Sequence, residues 1–324
     1  EIDIGYRTSR KKCLMQVLNV YSLAFCALFF IGHSLRVATP PGALPPKKFA
    51  GPEKRYCAAK TKRASIIGGT IVGSVEEFPF LAWVGDRRSK GHLTQFCGGT
   101  LIHPQVVLTA GHCLYSDGFK NSQIVVRLHL TNSQTTPGVT RTVVNWLRHS
   151  DYSMITLFED LGLLLLNESI PDELVKPVLL SNGTQGFERS GDKTVAGWGS
   201  QDEQCSQYDT HLRKTTVPLG TYGPECKARG SKTLTRAHDF DVERQLCAGD
   251  YDGRMHYPGC GDSGGPLLAN SEGKYVQVGM VSWSYGVPFP DVFTRVSHYT
   301  EWIQKSTALL LQEGKRPEHF QRMR

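Results

Sequence analysis

The sequence predicts an all-β protein with a sandwich or barrel architecture, and three observations support that prediction. Beyond residue 66, short runs rich in β-forming residues alternate with Gly, Pro, Asn and Asp, which is typical of many short strands joined by turns. Only the segment 299–311 has apolar residues spaced for one face of a helix. No repeat at a fixed period indicates a solenoid. The strand-like runs cover 80–84, 106–109, 124–130, 161–166, 193–196 and 275–283.

The composition is that of a globular protein. With 324 residues, of which 40% are hydrophobic and 21% charged, the chain is neither wholly disordered nor collagen-like nor a coiled coil. Its net charge of +7 is unevenly distributed, because residues 1–65 carry 12 Lys and Arg against 3 Asp and Glu, whereas 66–305 carry 21 against 25. The basic excess thus lies outside the strand-rich part, and nucleic acid is not an expected partner.

Residues 1–34 have the layout of a secretory signal peptide. Three basic residues at 10–12 precede a mostly apolar run over 14–31, and small residues follow where a signal peptidase reads the chain. The run is also long enough to be considered as a membrane anchor, but the polar residues within it favour cleavage. We expect a secreted, extracellular protein in which disulfides form. Residues 35–65, rich in Pro, Lys and Ala, are expected to be an extended pro-segment or linker.

Three residues stand in settings that suit nucleophilic catalysis. Ser263 lies among the glycines of 261–266, where backbone N–H groups can point into the space beside its hydroxyl. His112 ends a strand-like run and is followed by Cys113, which can hold the backbone of the ring in place. Asp160 opens an apolar run, and a carboxylate that enters a buried strand needs a partner such as an imidazole N–H.

Each of these settings also has an ordinary structural explanation. Glycine-rich turns, a histidine at a strand end and an aspartate that caps a strand are common in proteins without catalysis. In the chain order His, Asp, Ser they are far more specific, because that order distinguishes one class of hydrolase from others with the same chemistry. Residues 261–265 also fit the G-x-S-x-G turn of lipases, but that fold needs its acid and its histidine after the serine. Too few residues follow Ser263 for this, and their one aspartate is Asp291.

Residues 66 to about 305 resemble the chymotrypsin-type, trypsin-like serine proteases. The matching stretches occur in the family's order and are 66–69, 78–80, 97–102, 109–113, 160–166, 197–199, 246–249, 261–266, 281–283 and 292–296. The resemblance implies two antiparallel six-stranded β-barrels with a C-terminal helix and an active site in the cleft between them. It also implies a protease domain at 66–305. The tail at 306–324 extends beyond the family's usual end, and we expect it to lack fixed structure.

The resemblance implies a secreted serine endopeptidase that hydrolyses proteins or peptides. Ser263 would be the nucleophile, and His112 would be the base that takes its proton and later passes it to the leaving amine. Asp160 would orient the imidazole and receive a hydrogen bond from Ser282. The backbone N–H groups of Gly261 and Ser263 would form the oxyanion hole. No metal or organic cofactor is needed, and protein inhibitors are a further expected class of partner.

The resemblance further implies a zymogen. In the family, a new α-amino group at the residue equivalent to Ile66 pairs with the residue equivalent to Asp262 and orders the oxyanion hole. Here Ser65 precedes Ile66 where a trypsin-activated proenzyme has Arg or Lys, and the nearest basic pair is 62–63. Cleavage by an activating protease after this pair leaves the dipeptide 64–65 in front of Ile66. We therefore expect a second trimming step.

Cysteine spacing departs from the family pattern at one bridge. The stretch 284–290 lacks the cysteine that in the family pairs with one shortly before the nucleophile. Two alternatives remain for Cys260, which directly precedes Gly261: a disulfide with Cys205, or a free thiol. By resemblance two other disulfides are expected, Cys97–Cys113 and Cys226–Cys247.

The specificity pocket also departs from the family pattern. Tyr257 stands where a trypsin-like enzyme carries Asp, six residues before the nucleophile. Ser284 and Asp291 stand where glycines normally follow Trp283 and line the pocket wall, beside Ser282. Because serine and aspartate are larger than glycine, both residues narrow the specificity pocket. Asp291 could attract a Lys or Arg side chain of the substrate from a different wall of the pocket, whereas Tyr257 could fill the base of the pocket. Three alternatives therefore remain: a pocket for basic side chains, a pocket for small apolar side chains, and a blocked pocket.

The altered pocket leaves a second function open, that of a protease-fold pseudoenzyme acting as an inhibitor or binding protein. The complete His, Asp and Ser set favours the enzyme, because chains that abandon catalysis usually lose the His or the Ser. Two N-x-S/T sequons, at Asn167 and Asn182, would be surface glycosylation sites in a eukaryotic secretory route.

Overall fold

A computed structural model describes the part of the chain that folds around the predicted site. The predicted signal peptide at 1–34 and pro-segment at 35–65 lie outside the described residues, so those domain boundaries stay predictions. No helix in the described part is long and apolar enough to cross a membrane. The described residues are 66, 69–87, 92–114, 123–202, 205, 208–220, 240–249, 256–284 and 290–314.

Strands dominate the described residues and form two closed barrels. The elements are β1 (Thr70–Ile71), β2 (Leu81–Arg87), β3 (Leu93–His103), β4 (Val106–Thr109), β5 (Ile124–Leu128), β6 (Val139–Arg148), β7 (Gly162–Leu166), β8 (Leu179–Leu180), β9 (Gly191–Gly197), β10 (Arg213–Leu219), β11 (Gln245–Ala248), β12 (Pro266–Ser271), β13 (Lys274–Ser284), β14 (Asp291–Arg295) and the helix α1 (Thr300–Glu313). Strands β2, β3, β4, β7, β6 and β5 close in that order into the first barrel. Strands β10, β11, β14, β13, β12 and β9 form the second barrel, which the β9–β10 ladder closes. The prediction of two antiparallel six-stranded barrels with a C-terminal helix is confirmed.

Strand β7 is apolar without alternation because both of its sides are covered. All of its residues are buried, since the strand belongs to the first barrel and α1 packs beside it and β6. A strand that faces protein on both sides has no position for a polar side chain. Asp160 therefore sits at the point where the chain enters the protein interior.

A buried polar contact joins the two barrels. Thr100 Oγ1, in β3, donates a hydrogen bond of 2.7 Å to Gln277 Oε1, in β13. Neither side chain is exposed to solvent, and a satisfied polar pair in the interior specifies one arrangement of its surroundings. This contact helps to define how the barrels, and the residues between them, face each other.

The C-terminal helix continues beyond the predicted domain end at 305. Because α1 extends to Glu313, the helical spacing over 299–311 predicted it correctly, and the expectation that the chain lacks fixed structure after Lys305 is wrong for 306–313. Ile303 in the first half of the helix and Leu310 in the second are buried in the core with the residues of the first barrel, so both halves are held by apolar contacts. Tertiary packing, rather than the family's usual length, decides where the helix ends.

We predict that Leu310→Ala lowers the free energy of unfolding by about 2–5 kcal/mol, because truncating a fully buried leucine leaves a cavity. Urea denaturation followed by tryptophan fluorescence measures this change. Exposed Gln304 on the same helix provides the control, and Gln304→Ala is expected to change the free energy by less than about 0.5 kcal/mol. Equal effects of the two substitutions would show that the helix end does not contribute to the core.

Candidate active site

Two neighbouring strands bring His112 and Asp160 together at one end of the first barrel. β4 and β7 are antiparallel partners in which Thr109 lies opposite Gly162. His112 follows β4 in a short 3-10 turn, Gly111–Leu114, and Asp160 lies two residues before β7. Because the end of one antiparallel strand lies beside the start of its partner, the two side chains meet.

Asp160 contacts His112 through both carboxylate oxygens. The ring nitrogen Nδ1 of His112 lies 2.8 Å from Asp160 Oδ2, and the backbone N–H of His112 donates to Oδ1, also over 2.8 Å. The carboxylate therefore holds the ring and its backbone at once. This hydrogen-bond pattern assigns the proton to Nδ1 and leaves Nε2 as the acceptor.

The second barrel completes the surroundings of Asp160. Ser282 Oγ, in β13, donates to Asp160 Oδ2 over 2.5 Å, and Thr294 Oγ1, in β14, donates to the backbone carbonyl of Asp160 over 3.0 Å. Asp160 is only 1% exposed, and a buried carboxylate needs several donors to stay ionised. A residue of the first barrel thus depends on side chains of the second.

The surroundings of His112 act on its basicity in opposite directions. Burial by itself lowers the pKa of the imidazole, but the charge of Asp160 and its hydrogen bond to Nδ1 stabilise the protonated ring, and together they leave the pKa above its ordinary value of 6.5. The side chain keeps 27% exposure. His112 is therefore a stronger base than a free histidine, and it is reachable from solvent.

Backbone hydrogen bonds fix the turn that carries Ser263. The Ser263 carbonyl accepts from the N–H of Gly98, in β3, over 2.7 Å, and the N–H of Gly264 donates to Val281, in β13, over 2.9 Å. The turn is thus bound to both barrels. Ser263 is partly exposed, and the structure contains no hydrogen bond between its hydroxyl and the His112 ring. In free enzymes such bonds are often long and tighten only when substrate binds.

Two backbone donors beside Ser263 have no acceptor within the described residues. These donors are the N–H groups of Gly261 and Ser263 itself, whereas the neighbouring carbonyls are occupied. The Gly261 carbonyl accepts from Gln95 Nε2 over 3.1 Å. Gly261 has φ = +94°, and a Cβ there would lie 2.9 Å from the Tyr208 ring, so glycine is required on both grounds. Two unoccupied N–H groups next to a serine can bind a negatively charged oxygen.

Asp262 is buried without a cation among the described residues. Its oxygens accept from the N–H groups of Gly199 and Gly259, each over 2.8 Å. Burial raises its pKa to about 7, although these two hydrogen bonds act in the opposite direction. Ile66 is fully buried in the core of the second barrel, where in the intact chain its nitrogen belongs to a peptide bond and carries no charge.

Disulfides flank both sides of the site. Cys97 pairs with Cys113, the residue after His112, and Cys205 pairs with Cys260, so Cys260 is not a free thiol. Cys247 is also disulfide-bonded, but its expected partner, Cys226, lies outside the described residues. The candidate metal ligands that lie closest together in the described part are Cys97, His112 and Cys113. Because the two cysteines are bonded to each other, this group offers no thiolate to a metal.

Four of the five predicted pocket residues lie on neighbouring strands, although 285–289 are not described. Ser282, Trp283 and Ser284 end β13, and Asp291 begins β14 directly opposite Ser284. Asp291 is 3% exposed, and its Oδ2 has no hydrogen-bond partner in the described part of the chain. Burial raises the pKa of Asp291 to about 7, against a smaller opposing effect of a hydrogen bond with Ser284. Tyr257 lies in a short bridge before the Ser263 turn.

Three contributors to the site were missed by sequence reasoning. Gln95 and Gly98 hold the turn around Ser263, and Thr294 holds the backbone of Asp160. Gly98 and Thr294 lie in stretches that carry the resemblance, but no residue pattern assigns their contacts. Each contact joins residues that are more than 100 positions apart, so only the fold reveals it.

The two closed barrels, with a His, an Asp and a Ser at their junction, define the fold class of the two-barrel serine proteases. The chain belongs to the trypsin family, since the family model named Trypsin matches residues 67–303. It is therefore a member of a family of serine endopeptidases that act on protein substrates.

Individual relatives agree with this assignment. Trypsin-1 of Astacus astacus is 33% identical over 250 residues, which cover 74% of this chain and 98% of that protein. Tryptase of Mus musculus is 32% identical over 248 residues, covering 74% of this chain and 88% of that protein. The hepatocyte growth factor activator serine protease of Homo sapiens is 28% identical over 313 residues, or 91% of this chain. The match spans only 45% of that longer protein.

We predict that the Asp262 carboxyl group makes a contribution to the stability of the uncleaved chain that falls as the pH rises from about 4 to about 7. A carboxyl group whose pKa is raised in the folded state keeps a proton there that the unfolded chain has already released, so stability falls across this window. Asp262→Asn should reduce this slope, because an amide does not titrate. Urea denaturation of the full-length chain at several pH values measures it.

The exposed residue Gln304 provides the control for this experiment. Gln304→Ala removes no titratable group and should leave the slope unchanged, whereas Asp291→Asn should reduce it as Asp262→Asn does, because burial raises the pKa of Asp291 as well. An unchanged slope in Asp262→Asn would contradict the buried, cation-free state of this carboxyl group.

Proposed function

We propose that this chain is a secreted serine endopeptidase that uses Ser263, His112 and Asp160. The observation that carries the proposal is the double contact of the Asp160 carboxylate with the ring and backbone of His112, because it fixes a base in one tautomer at a solvent-accessible position. The turn of Ser263 is bound to the same strand system through Gly98.

In the proposed mechanism, Ser263 Oγ attacks the carbonyl carbon of the scissile peptide while His112 Nε2 takes the hydroxyl proton. Asp160 stabilises the resulting imidazolium, and the N–H groups of Gly261 and Ser263 stabilise the oxyanion. His112 then donates the proton to the amine as the C–N bond breaks, which leaves an acyl-enzyme. A water molecule, deprotonated by His112, attacks the acyl-enzyme and releases the new carboxyl group and the serine.

The proposed enzyme is made as a zymogen. Asp262 supports this, since no cation among the described residues pairs with its buried carboxyl group and an α-ammonium group at Ile66 would supply one. An activating protease that cleaves after Arg63 would leave residues 64–65 to be trimmed. N-terminal sequencing of the active protein tests the trimming step, and Ala64 as the terminus of a fully active enzyme would contradict it.

Secretion and glycosylation are part of the proposal. The disulfides require an oxidising compartment, and the layout of 1–34 is that of a signal peptide. Both sequon asparagines, Asn167 and Asn182, are exposed. The expected partners are protein or peptide substrates, an activating protease and protein inhibitors.

Asp291 supports a preference for substrates with a basic side chain before the scissile bond. It lies opposite Ser284. Ser284 is two residues, and so about 7 Å, along the strand from Ser282, whose hydroxyl donates a hydrogen bond to Asp160. A buried carboxylate with an unpartnered oxygen is stabilised by a cation, and the ammonium or guanidinium group of a substrate could provide it.

A serine-directed fluorophosphonate probe tests the proposed activity. We expect the full-length chain, with 61–65 replaced by an enteropeptidase sequence and then cleaved before Ile66, to be labelled at Ser263 and to hydrolyse peptides. Ser263→Ala should abolish labelling, and His112→Ala should lower kcat by at least about 10³-fold. No labelling after confirmed cleavage would instead favour the alternative function, that of a protease-fold inhibitor or binding protein.

We predict that the acid limb of the pH–rate profile has its midpoint above 6.5, because catalysis needs neutral His112 and its neighbours raise its pKa. Activity should therefore appear only as the pH rises past the raised pKa. Asp160→Asn should lower kcat by about 10³–10⁴-fold and move the limb to lower pH. Profiles of kcat/KM against pH measure both effects, and a limb that does not move would contradict the role of Asp160.

We predict that Asp291→Asn lowers kcat/KM for peptides with Lys or Arg before the scissile bond by at least about tenfold, since it removes one partner of a buried charge pair. Peptides with an apolar residue at that position should be affected little. Matched peptide pairs measure the ratio. Equal losses on both peptides would mean that Asp291 does not read the substrate's charge.

A further inference from the structure

The peptide between Cys260 and Gly261 controls one of the two oxyanion donors. The carbonyl of Cys260 and the N–H of Gly261 belong to the same planar trans peptide and point in opposite directions. Any contact that fixes the carbonyl therefore aims the N–H. A rotation of this peptide would turn the donor away and bring the carbonyl towards the place of the oxyanion.

The sequence alone does not choose between these two orientations. Gly261 has φ = +94°, and glycine reaches positive and negative φ about equally well. The orientation must therefore be set by contacts of the neighbouring residue. Cys260 is that neighbour.

Two bonds connect Cys260 to the same segment, 200–208. Its carbonyl accepts from the N–H of Ser200 over 2.7 Å, and its side chain forms a disulfide with Cys205, with the two Cα atoms 5.5 Å apart. The ends of this segment are themselves joined, because Ser200 pairs with Tyr208 in a β-bridge. Ser200 is fully buried, so the donor to the Cys260 carbonyl is held firmly.

We propose that the Cys205–Cys260 disulfide is a positioning pair that keeps the Gly261 N–H aimed at the oxyanion by holding the Cys260 carbonyl on Ser200. This proposal rests on the proteolytic function proposed above. The family's disulfide beside the specificity pocket cannot form here, because 284–290 contain no cysteine. The proposal gives a catalytic role to the Cys205–Cys260 disulfide that replaces it.

The double variant Cys205→Ala/Cys260→Ala tests the proposal in the full-length chain cleaved before Ile66. We expect kcat to fall by about tenfold or more, up to the 10²–10³-fold that follows complete loss of one oxyanion donor, with KM little changed. The inhibition constant of a peptide boronic acid, whose tetrahedral adduct on Ser263 needs the same donors, should rise in proportion. Binding of the cleaved product peptide should not change.

Leu310→Ala is the matched control, because it lowers stability at a distance from the oxyanion site. It should leave kcat and the boronic acid constant at their original values. The same fall in kcat for Leu310→Ala, or an unchanged kcat in the double variant, would overturn the proposal. A rise in KM with no change in the inhibition constant of the boronic acid would also overturn the proposal, because the disulfide would then act on substrate binding.

Mild reduction provides a second test that does not depend on the folding of the variant. Cys205 and Cys260 are partly exposed, whereas Cys97, Cys113 and Cys247 are buried, so a thiol reductant reaches the Cys205–Cys260 bridge first. Alkylation and peptide mass spectrometry identify the opened bridge. Activity should fall as these two cysteines are alkylated, and activity that stays constant would overturn the proposal.

A measurement on the Gly261 amide separates this proposal from the proposed function. With ¹⁵N-glycine labelling and Ser263→Ala, which removes turnover, relaxation dispersion should detect exchange of the Gly261 amide in the double cysteine variant but not in the parent. Exchange in both proteins, or in neither, would overturn the positioning role even in an active enzyme. Exchange confined to the variant would support it even if the probe experiment showed no hydrolysis.

Discussion

The site depends on one buried carboxylate that neither barrel satisfies alone. Asp160 enters the interior at the start of β7, and the first barrel supplies the ring and backbone of His112 as partners. The second barrel adds the hydroxyl of Ser282 on the carboxylate, and Thr294 donates to the backbone carbonyl of the same residue. An unpaired carboxylate in this position would cost several kcal/mol, so the native contact between the barrels and the orientation of the base stabilise each other.

The turn around Ser263 follows the same principle with backbone groups. Gly98 of the first barrel and Val281 of the second hold it from two sides, and Gln95 holds the carbonyl of Gly261. Among the described residues, the N–H groups of Gly261 and Ser263 have no acceptor. The backbone hydrogen bonds connect the turn to both barrels before substrate arrives, which limits the reorganisation needed when negative charge develops.

Local patterns predicted much of this molecule. The short strand-like runs predicted the all-β class, and the settings of His112, Asp160 and Ser263 indicated a nucleophilic site from the sequence alone. The helical spacing over 299–311 was predicted correctly, but the expectation that the tail after Lys305 lacks fixed structure was wrong for 306–313, because the burial of Leu310 in the core depends on residues far away in the chain. The pairing of Cys205 with Cys260 remained one of two alternatives, since residue spacing does not report distance in space.

The sequence by itself determined the residue types, their order and the strand periodicity, because side-chain polarity and turn chemistry act over a few neighbouring residues. The tertiary structure alone decided which donors reach Asp160, which N–H group holds the carbonyl of the peptide before Gly261, and that Asp262 and Asp291 are buried. These properties arise from contacts between residues far apart in the chain, and burial in a medium of low polarity then sets the strength of each interaction.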